Sequence, residues 1–284
     1  MAEIPFTKMH GLGNDFVIID TREQPLSLSS EHIKKICDRH KGVGCDQLVL
    51  ISHSERADCR VHFYNADGSE SGACGNASRC IAALMMYETG RSIATIATNA
   101  GMLSCDLTDD GWITVNLGKA KTGWQAIPLA KEEDTLHVNI IAGTLKDAVC
   151  VNVGNPHAVF FVDDIDIVPL EKLGPLLENH AIFPEKANIE VVQVISRDHI
   201  RVRVWERGVG ETQACGTGAS AAAIAAIRRE MCDRTVLVNL PGGDLEVTLH
   251  TNMDVTLSGP VDISFAGVMD DMLWLGEEHL DAQA

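Results

Sequence analysis

The sequence has few aromatic residues and far fewer basic than acidic ones. Phenylalanine, tryptophan and tyrosine together make up 5% of its 284 residues. Lysine and arginine number 23 against 40 aspartates and glutamates, which gives a formal net charge of -17. A protein with this charge repels nucleic-acid phosphates and anionic membrane surfaces. The composition therefore predicts a protein that binds neither nucleic acid nor membranes.

Long apolar runs and paired cysteines are also missing. No window approaches the roughly 18 uninterrupted apolar residues of a membrane-spanning helix, and the first residues, MAEIPFTKMHG, lack an apolar signal region. The nine cysteines are odd in number and form no C-x-x-C pair. A disulfide framework or a structural zinc site therefore fits poorly, and most of the thiols are expected to be buried. We expect a cytoplasmic protein.

The chain does contain an internal repeat at an offset of 141 residues. The matched pieces are Gly13-Asn14 with Gly154-Asn155, Gln47 with Asn188, Gly101 with Gly242, and ESGACG (70–75) with ETQACG (211–216). A register kept from the start of each half to its end indicates duplication. The repeat predicts two homologous halves, residues 1–118 and 119–264, with residues 265–284 returning to the first.

Each half is expected to place strands around one helix. Residues 60–65 and 201–206 alternate as half-buried strands do. Gly-rich turns lead into residues 76–89 and 217–230, which are so rich in alanine and aliphatic side chains that they predict buried helices. The predicted fold class is α/β in the α+β sense. It has two homologous domains, each a curved, mostly antiparallel sheet wrapped around a central helix, related by pseudo-twofold symmetry.

Two repeated cysteines, Cys74 and Cys215, directly precede these helices, whose first residues Asn76 and Thr217 are able to cap them. The N–H groups and the dipole at a helix start stabilise negative charge and lower the pKa of a thiol. If symmetry brings the two helix starts face to face, one sulfur removes a proton from a stereocentre and the other supplies a proton to the opposite face. The pattern predicts a two-base racemase site, while a packing role for both cysteines stays open.

Polar residues near the cysteines suit a zwitterionic ligand. Amide side chains offer donors and acceptors without adding charge. They are Asn14, Asn65, Asn76, Asn155 and Asn188. Glu206 and Arg207 are able to bind an ammonium and a carboxylate. Position 65 is Asn where its counterpart 206 is Glu, so the halves differ where an asymmetric substrate requires it.

Six segments closely resemble the diaminopimelate epimerase family, in the family's order and spacing. They are MHGLGND (9–15), GCDQ (44–47), YNADGSE (64–70), ACGN (73–76), GNPH (154–157) and ERGVGETQACGTGA (206–219). The resemblance implies that one centre of LL-2,6-diaminopimelate is inverted to give the meso form, for lysine and peptidoglycan precursor synthesis. It implies no pyridoxal phosphate, metal or other cofactor, a fold of two similar α/β domains, and a homodimer.

By position, the resemblance implies that Cys74 and Cys215 are the opposed base and acid. It implies substrate contacts from Asn14, Gln47, Asn65, Gly75, Asn76, Asn155, Asn188, Glu206, Arg207, Gly216 and Thr217. It places His157 and Glu206 where they tune the pKa of the sulfurs. The segment CGNASRC (74–80) departs from the common CGNGARC, so the fit of the first helix start around the substrate is expected to differ slightly.

Three alternatives remain open at this point. The first is a racemase of proline, hydroxyproline or histidine on the same two-cysteine scaffold. Arg207 distinguishes it, because only a substrate with a second amino-acid head needs a distal carboxylate partner. The second is a thiol redox protein that uses Cys74 and Cys215 as a reversible disulfide. The third is a non-catalytic binding module with a duplicated fold.

Overall fold

A computed structural model describes residues 3–72 and 74–270. The chain divides into two compact units, after Ile113 and after Gly259. Unit 1 contains the residues before the first division and after the second, and unit 2 is Thr114–Gly259. The sequence predicts each division five residues later, after residues 118 and 264. The predicted return of residues 265–284 is described only as far as residue 270, and its remainder lies outside the described residues.

Strands predominate in both units. The first unit has β1 (Glu3–Gly11), β2 (Asn14–Asp20), α1 (Ser30–Cys37), β3 (Gln47–Ser52), β4 (Cys59–Asn65), β5 (Glu70–Ser71), α2 (Gly75–Thr89), β6 (Ile93–Thr98) and β7 (Gly101–Leu107). The second has β8 (Ile113–Lys119), β9 (Val138–Ala142), β10 (Leu145–Asn152), β11 (Pro156–Phe161), α3 (Leu170–Glu178), β12 (Asn188–Ser196), β13 (His199–Glu206), β14 (Gly210–Thr212), α4 (Gly216–Arg228), β15 (Thr235–Leu240), β16 (Gly243–Leu249) and β17 (Asp254–Gly259). The last strand is β18 (Asp262–Asp270).

Most strand pairings are antiparallel, and the parallel ones recur at equivalent places. In unit 1, β1 pairs with β2 and β18, β3 with β4, and β6 with β7, all antiparallel. The parallel pairs are β2 with β3 and β4 with β6. Unit 2 repeats this arrangement with β11 parallel to β12 and β13 parallel to β15. The predicted class, two homologous α+β domains with mostly antiparallel sheets, is confirmed.

The repeat is visible in the strand register before the central helices. Phe16 pairs with Gln47 between β2 and β3, and His157 pairs with Asn188 between β11 and β12. Each member of the second pair lies 141 residues after its counterpart. The offset read from the sequence is therefore also the structural offset in this part of the chain.

After the central helices the structural offset increases by one residue. Gly101 opens β7 and Gly243 opens β16, and both have a φ of 136°. A left-handed φ of this kind favours glycine, because glycine has no Cβ. The predicted match of Gly101 with Gly242 is thus wrong by one residue. Its cause is the segment from the start of the helix to the next strand, which is one residue longer in unit 2.

The helices α2 and α4 are the central helices that the alanine-rich segments predict. Among the described elements, α4 contacts β10, β11, β12, β13, β15, β16 and β17, and α2 contacts β1, β6 and β7. Alanine and glycine allow this close approach, since nearly every α4 residue from Gly216 to Ala226 is buried. No helix within residues 3–72 and 74–270 is long and apolar enough to span a membrane.

Candidate active site

Cys74 is the residue at which unit 1 changes from extended chain to helix. It is the N-cap of α2, with φ -145° and ψ 114°, and its Sγ accepts a hydrogen bond from the Ala77 N–H at 3.5 Å. Its carbonyl accepts from the Ser78 N–H at 2.9 Å. The side chain is half-buried. The sulfur therefore lies at the positive end of a helix with a backbone donor directed at it.

Cys215 has the same place in unit 2. It caps α4 with φ -125° and ψ 111°, and its Sγ accepts from the Gly218 N–H at 3.4 Å. The Thr217 hydroxyl lies 3.5 Å from the sulfur. The expectation that Asn76 and Thr217 are the caps is wrong, because both helices begin one residue earlier and each cysteine already supplies the capping acceptor.

The electrostatic surroundings of Cys215 favour the neutral thiol. Burial raises its pKa well above the ordinary value, and the negative charges of Glu206 and Glu190 act in the same direction. Hydrogen bonds from Thr217 and Gly218 lower the pKa by less. At Cys215, desolvation therefore outweighs the hydrogen bonds that the helix start supplies.

A fully buried histidine–carboxylate pair lies beside the start of α4. His157 Nδ1 is 2.7 Å from Glu190 Oε1, and His157 Nε2 is 2.7 Å from Asn155 Oδ1. Both His157 and Glu190 are 0% exposed. Burial raises the pKa of Glu190, whereas the His157 charge and hydrogen bond lower it. Within the described residues Glu190 Oε2 has no hydrogen-bond partner. The contact with His157 is therefore the hydrogen bond on which the buried Glu190 carboxyl group depends.

Four predicted amide side chains of unit 1 form two hydrogen-bonded pairs. Asn76 Nδ2 donates to Asn14 Oδ1 at 3.1 Å, and Gln47 Nε2 donates to Asn65 Oδ1 at 2.8 Å. Asn76 lies in the first turn of α2, next to Gly75. The first pair thus connects the start of β2 with the helix start that carries Cys74.

An ion cluster that the sequence analysis did not identify holds Asn14 in place. Asn14 Nδ2 donates to Asp46 Oδ2 at 2.9 Å, and Arg39 contacts both Asp46 and Asp15 at 2.7 Å. Lys8 contacts Asp15 at 2.6 Å. Burial raises the pKa of Asp15, but the hydrogen bonds and charges of Arg39 and Lys8 hold it well below its usual range. Asp15 is therefore ionised at neutral pH.

Hydrogen bonds of 2.6–2.8 Å hold three further predicted residues of unit 2. Asn188 Oδ1 accepts from the Arg207 backbone N–H at 2.8 Å. The Arg207 side chain is exposed, and its Nη1 donates to the Glu185 carbonyl at 2.7 Å. Glu206 Oε1 accepts from the Thr212 hydroxyl at 2.6 Å. Asn188, Glu206 and Arg207 are thus restrained before any ligand binds.

The predicted site residues fall into one set in each unit. Unit 1 carries Asn14, Gln47, Asn65, Cys74, Gly75 and Asn76. Unit 2 carries Asn155, His157, Asn188, Glu206, Arg207, Cys215, Gly216 and Thr217. In each set the sulfur is at a helix start and the amides lie at the ends of neighbouring strands or in the first turn of that helix.

Solved structures of similar fold come from several enzyme groups. A phenazine biosynthesis protein of the PhzF family from Bacillus anthracis has a TM-score of 0.68 at 18% identity, covering 95% of this chain and 100% of that one. A hydroxyproline epimerase from Agrobacterium vitis also has a TM-score of 0.68, at 13% identity, covering 94% and 92%. At these identities the likeness shows the fold alone.

Similarity in sequence is much closer. The family model described as Diaminopimelate epimerase matches residues 6–123 and 149–263. The diaminopimelate epimerase of Rhodospirillum centenum is 50% identical over 273 residues, covering 95% of this chain and 94% of that one. That of Acidiphilium cryptum is 47% identical over 269 residues, covering 95% and 97%. The chain belongs to the diaminopimelate epimerase family.

Proposed function

We propose that this protein converts LL-2,6-diaminopimelate to meso-diaminopimelate by a two-base reaction in which Cys74 and Cys215 are the base and the acid. The observation that carries the proposal is the equivalent position of the two sulfurs. Each caps the central helix of its unit and accepts a backbone hydrogen bond there, within a chain that the family comparison covers almost completely. The product serves lysine and peptidoglycan precursor synthesis.

The reaction needs one proton to leave and one to arrive. A thiolate removes the α-proton from one face of the substrate carbon, and the electron pair remains as a carbanion stabilised through the adjacent carboxylate. The opposite thiol then donates its proton to the other face and becomes the thiolate. Each turnover exchanges the protonation states of Cys74 and Cys215, so the reverse reaction starts from the other sulfur. No external oxidant or reductant is consumed.

The substrate's two ends make different demands. At the reacting end, backbone N–H groups in the first turns of α2 and α4 bind the carboxylate, which gains negative charge in the transition state. Gly75, Asn76, Gly216 and Thr217 lie in those first turns. At the distal end, Arg207 binds the second carboxylate and Glu206 an ammonium. The amide side chains Asn14, Gln47, Asn65, Asn155 and Asn188 complete the polar lining.

The second candidate is inversion of a cyclic amino acid. The structure of a hydroxyproline epimerase with bound trans-4-hydroxy-L-proline has a similar fold, and this observation keeps proline and hydroxyproline among the substrates to test, together with histidine. A cyclic substrate has no second amino-acid head, so it gives the exposed Arg207 guanidinium nothing to bind.

The deciding experiment follows proton NMR of LL-diaminopimelate in deuterated, reducing buffer. The metal-free protein is expected to replace one α-proton by deuterium as the meso product forms, and to leave proline, hydroxyproline and histidine unchanged. Arg207→Ala is expected to lower kcat/KM for diaminopimelate at least about a hundredfold, through loss of a charged hydrogen-bonding pair. Arg60→Ala, which removes an exposed arginine of β4, is the control. Exchange with a cyclic substrate instead would overturn the substrate assignment.

We also propose a cytoplasmic homodimer. The nine cysteines carry thiols and not disulfides, which suits a reducing compartment. The dimer rests on the family resemblance. Light scattering of the purified protein at micromolar concentration is expected to give twice the mass of one chain. A single-chain mass under those conditions would contradict the dimer without affecting the proposed chemistry.

A further inference from the structure

The central helix of unit 1 contains a buried arginine that the proposed reaction does not use. Arg79 lies in α2 and is 0% exposed. Its Nε, Nη1 and Nη2 have no hydrogen-bond partner among the described residues. An alanine at Gly11 would place its Cβ 3.2 Å from Arg79 Nη2, so the chain of β1 closes over the guanidinium. An unpaired buried cation is costly unless an anion lies close to it.

Among the described residues, three thiols act on the charge of this arginine. Burial lowers the pKa of Arg79 to about 10, and negative charge at Cys80, Cys74 or Cys105 acts in the opposite direction. Arg79 therefore remains a cation at neutral pH. Burial also raises the pKa of Cys80 to about 12 and the pKa of Cys105 to about 12, so both of these thiols are neutral.

Other titratable groups on the elements around α2 do not fill this role. On β1, Lys8 is a cation paired with Asp15, and His10 carries no negative charge. Strand β6 has no titratable side chain. On β18, the Asp262 charge acts on the Cys80 thiol. On β7, the Asp106 charge acts on the Cys105 thiol. Of the three thiols that act on Arg79, Cys74 is the half-buried one, and it caps the helix that carries Arg79.

We infer that Arg79 keeps Cys74 in the thiolate form, so that Cys74 is the base in the resting protein and Cys215 the acid. The geometry agrees, because the Cβ that meets the Arg79 Nη2 would also lie 3.5 Å from the Asn76 Cβ, in the first turn of the helix that Cys74 caps. A helical side chain leans toward the N-terminus of its helix. The interaction is reciprocal: a thiolate that stabilises the guanidinium is stabilised by it to the same extent. Arg79 acts through Cys74 and is a positioning residue.

Unit 2 has no such cation at the equivalent position. The residue 141 positions after Arg79 is Ser220, which is fully buried and donates to the Gly216 carbonyl at 2.9 Å. Charges on Glu206 and Glu190 instead oppose ionisation of Cys215. The inference rests on the proposed function for its meaning in catalysis, but the state of Cys74 is measurable without any substrate.

The test is the rate at which iodoacetamide alkylates Cys74 between pH 5.5 and 9. Digestion after glutamate releases residues 71–88, in which fragmentation separates Cys74 from Cys80. Arg79→Met is expected to lower the Cys74 rate at pH 7 about tenfold or more, since an adjacent cation lowers a pKa by about one to three. Arg79→Lys, which keeps the charge, should stay within about threefold of wild type. Arg60→Met should have no effect.

Folding is checked in the same digest. Cys80 is buried, so its alkylation reveals any unfolded Arg79→Met. If Arg79→Met is unfolded, the absorbance at 240 nm of the wild type at pH 7 is compared with that of Cys74→Ser. The inference requires the wild type to show the additional absorbance of one thiolate. Folded Arg79→Met that alkylates at the wild-type rate, or a missing thiolate signal, would overturn the inference. Fast alkylation without diaminopimelate exchange would refute the proposed function and leave the Arg79 inference intact.

Discussion

Unit 1 and unit 2 hold their sulfurs in the same way but surround them with opposite charges. Cys74 and Cys215 are N-caps with nearly equal backbone angles and equivalent N–H donors. Near the first is a buried arginine, and near the second are two carboxylates. The duplicated fold supplies the symmetric geometry, whereas a few buried charges set the two sulfurs apart. Both are needed to invert a stereocentre, since one sulfur must start as base and the other as acid.

Arg79 and Glu190 occupy positions at which the two halves of the repeat differ. Arg79 corresponds to Ser220, and Glu190 corresponds to Val49, which is buried in β3. Each charge therefore occupies a position whose counterpart in the other unit is neutral and equally buried. An ionised group at a buried position lowers the stability of the fold. We therefore expect Arg79 and Glu190 to have a role in the reaction.

The largest expected effect comes from removing either sulfur. Cys74→Ser and Cys215→Ser should each lower kcat on the order of a thousandfold, because a hydroxyl exchanges protons at neutral pH far less readily than a thiol. Steady-state rates in both reaction directions measure this. If the two sulfurs act as a pair, the double variant loses little more than either single one.

Cys80→Ala is the matched control for both substitutions. Cys80 is a buried thiol on the same helix as Cys74, and its counterpart in unit 2 is Ala221. It should keep kcat within about twofold of wild type, as a packing residue does. A serine variant that keeps more than a tenth of wild-type kcat would show that its sulfur is not one of the two bases.

A smaller effect is expected from the buried carboxylate of unit 2. Glu190→Gln keeps a hydrogen bond to His157 but removes one of the charges that raise the pKa of Cys215. The pKa of Cys215 should fall, so the alkaline limb of the kcat/KM profile moves to lower pH. We expect kcat to fall about tenfold, the cost of weakening a buried charged hydrogen bond.

The pH profile separates this role from simple packing. Glu246→Gln removes an exposed carboxylate of β16 in the same unit and should leave both the limb and kcat in place. A Glu190→Gln protein with unchanged melting temperature and an unmoved alkaline limb would show that Glu190 does not act on Cys215.

The comparison of the two units also explains which features are predictable from the sequence. The two cysteines, the helices that follow them and the homologous halves were predictable because duplication repeats them at one offset. Arg79 and Glu190 were not identified, because hydropathy gives no reason to bury a charge inside an apolar helix or strand. The direction of the pKa shift at Cys215 is not predictable from the sequence for a related reason: local sequence indicates a helix start but not the desolvation around it. The sequence does contain one signal for Arg79 and Glu190: each is a charged residue whose counterpart at the repeat offset is neutral.

The smallest expected effect comes from the one-methyl difference between the helix starts. Gly218 corresponds to Ala77, and a Cβ at Gly218 would lie 3.0 Å from both Cγ atoms of Val204 and 3.2 Å from Glu190 Oε1. Both neighbours are buried and have little room to move. Gly218→Ala gains up to about 1 kcal/mol in helix propensity, but overpacking costs about 1–3 kcal/mol.

We therefore expect Gly218→Ala to lower the free energy of unfolding by about 1 kcal/mol, measured by urea denaturation. Ala77→Gly in unit 1 should also lose about 1 kcal/mol, from propensity alone. The two differ in activity, because only the first displaces Glu190 from His157 and should reduce kcat. A Gly218→Ala protein more stable than wild type would mean that β12 and β13 yield to the methyl group. The glycine would then be a chance difference between the units and not part of what sets their sulfurs apart.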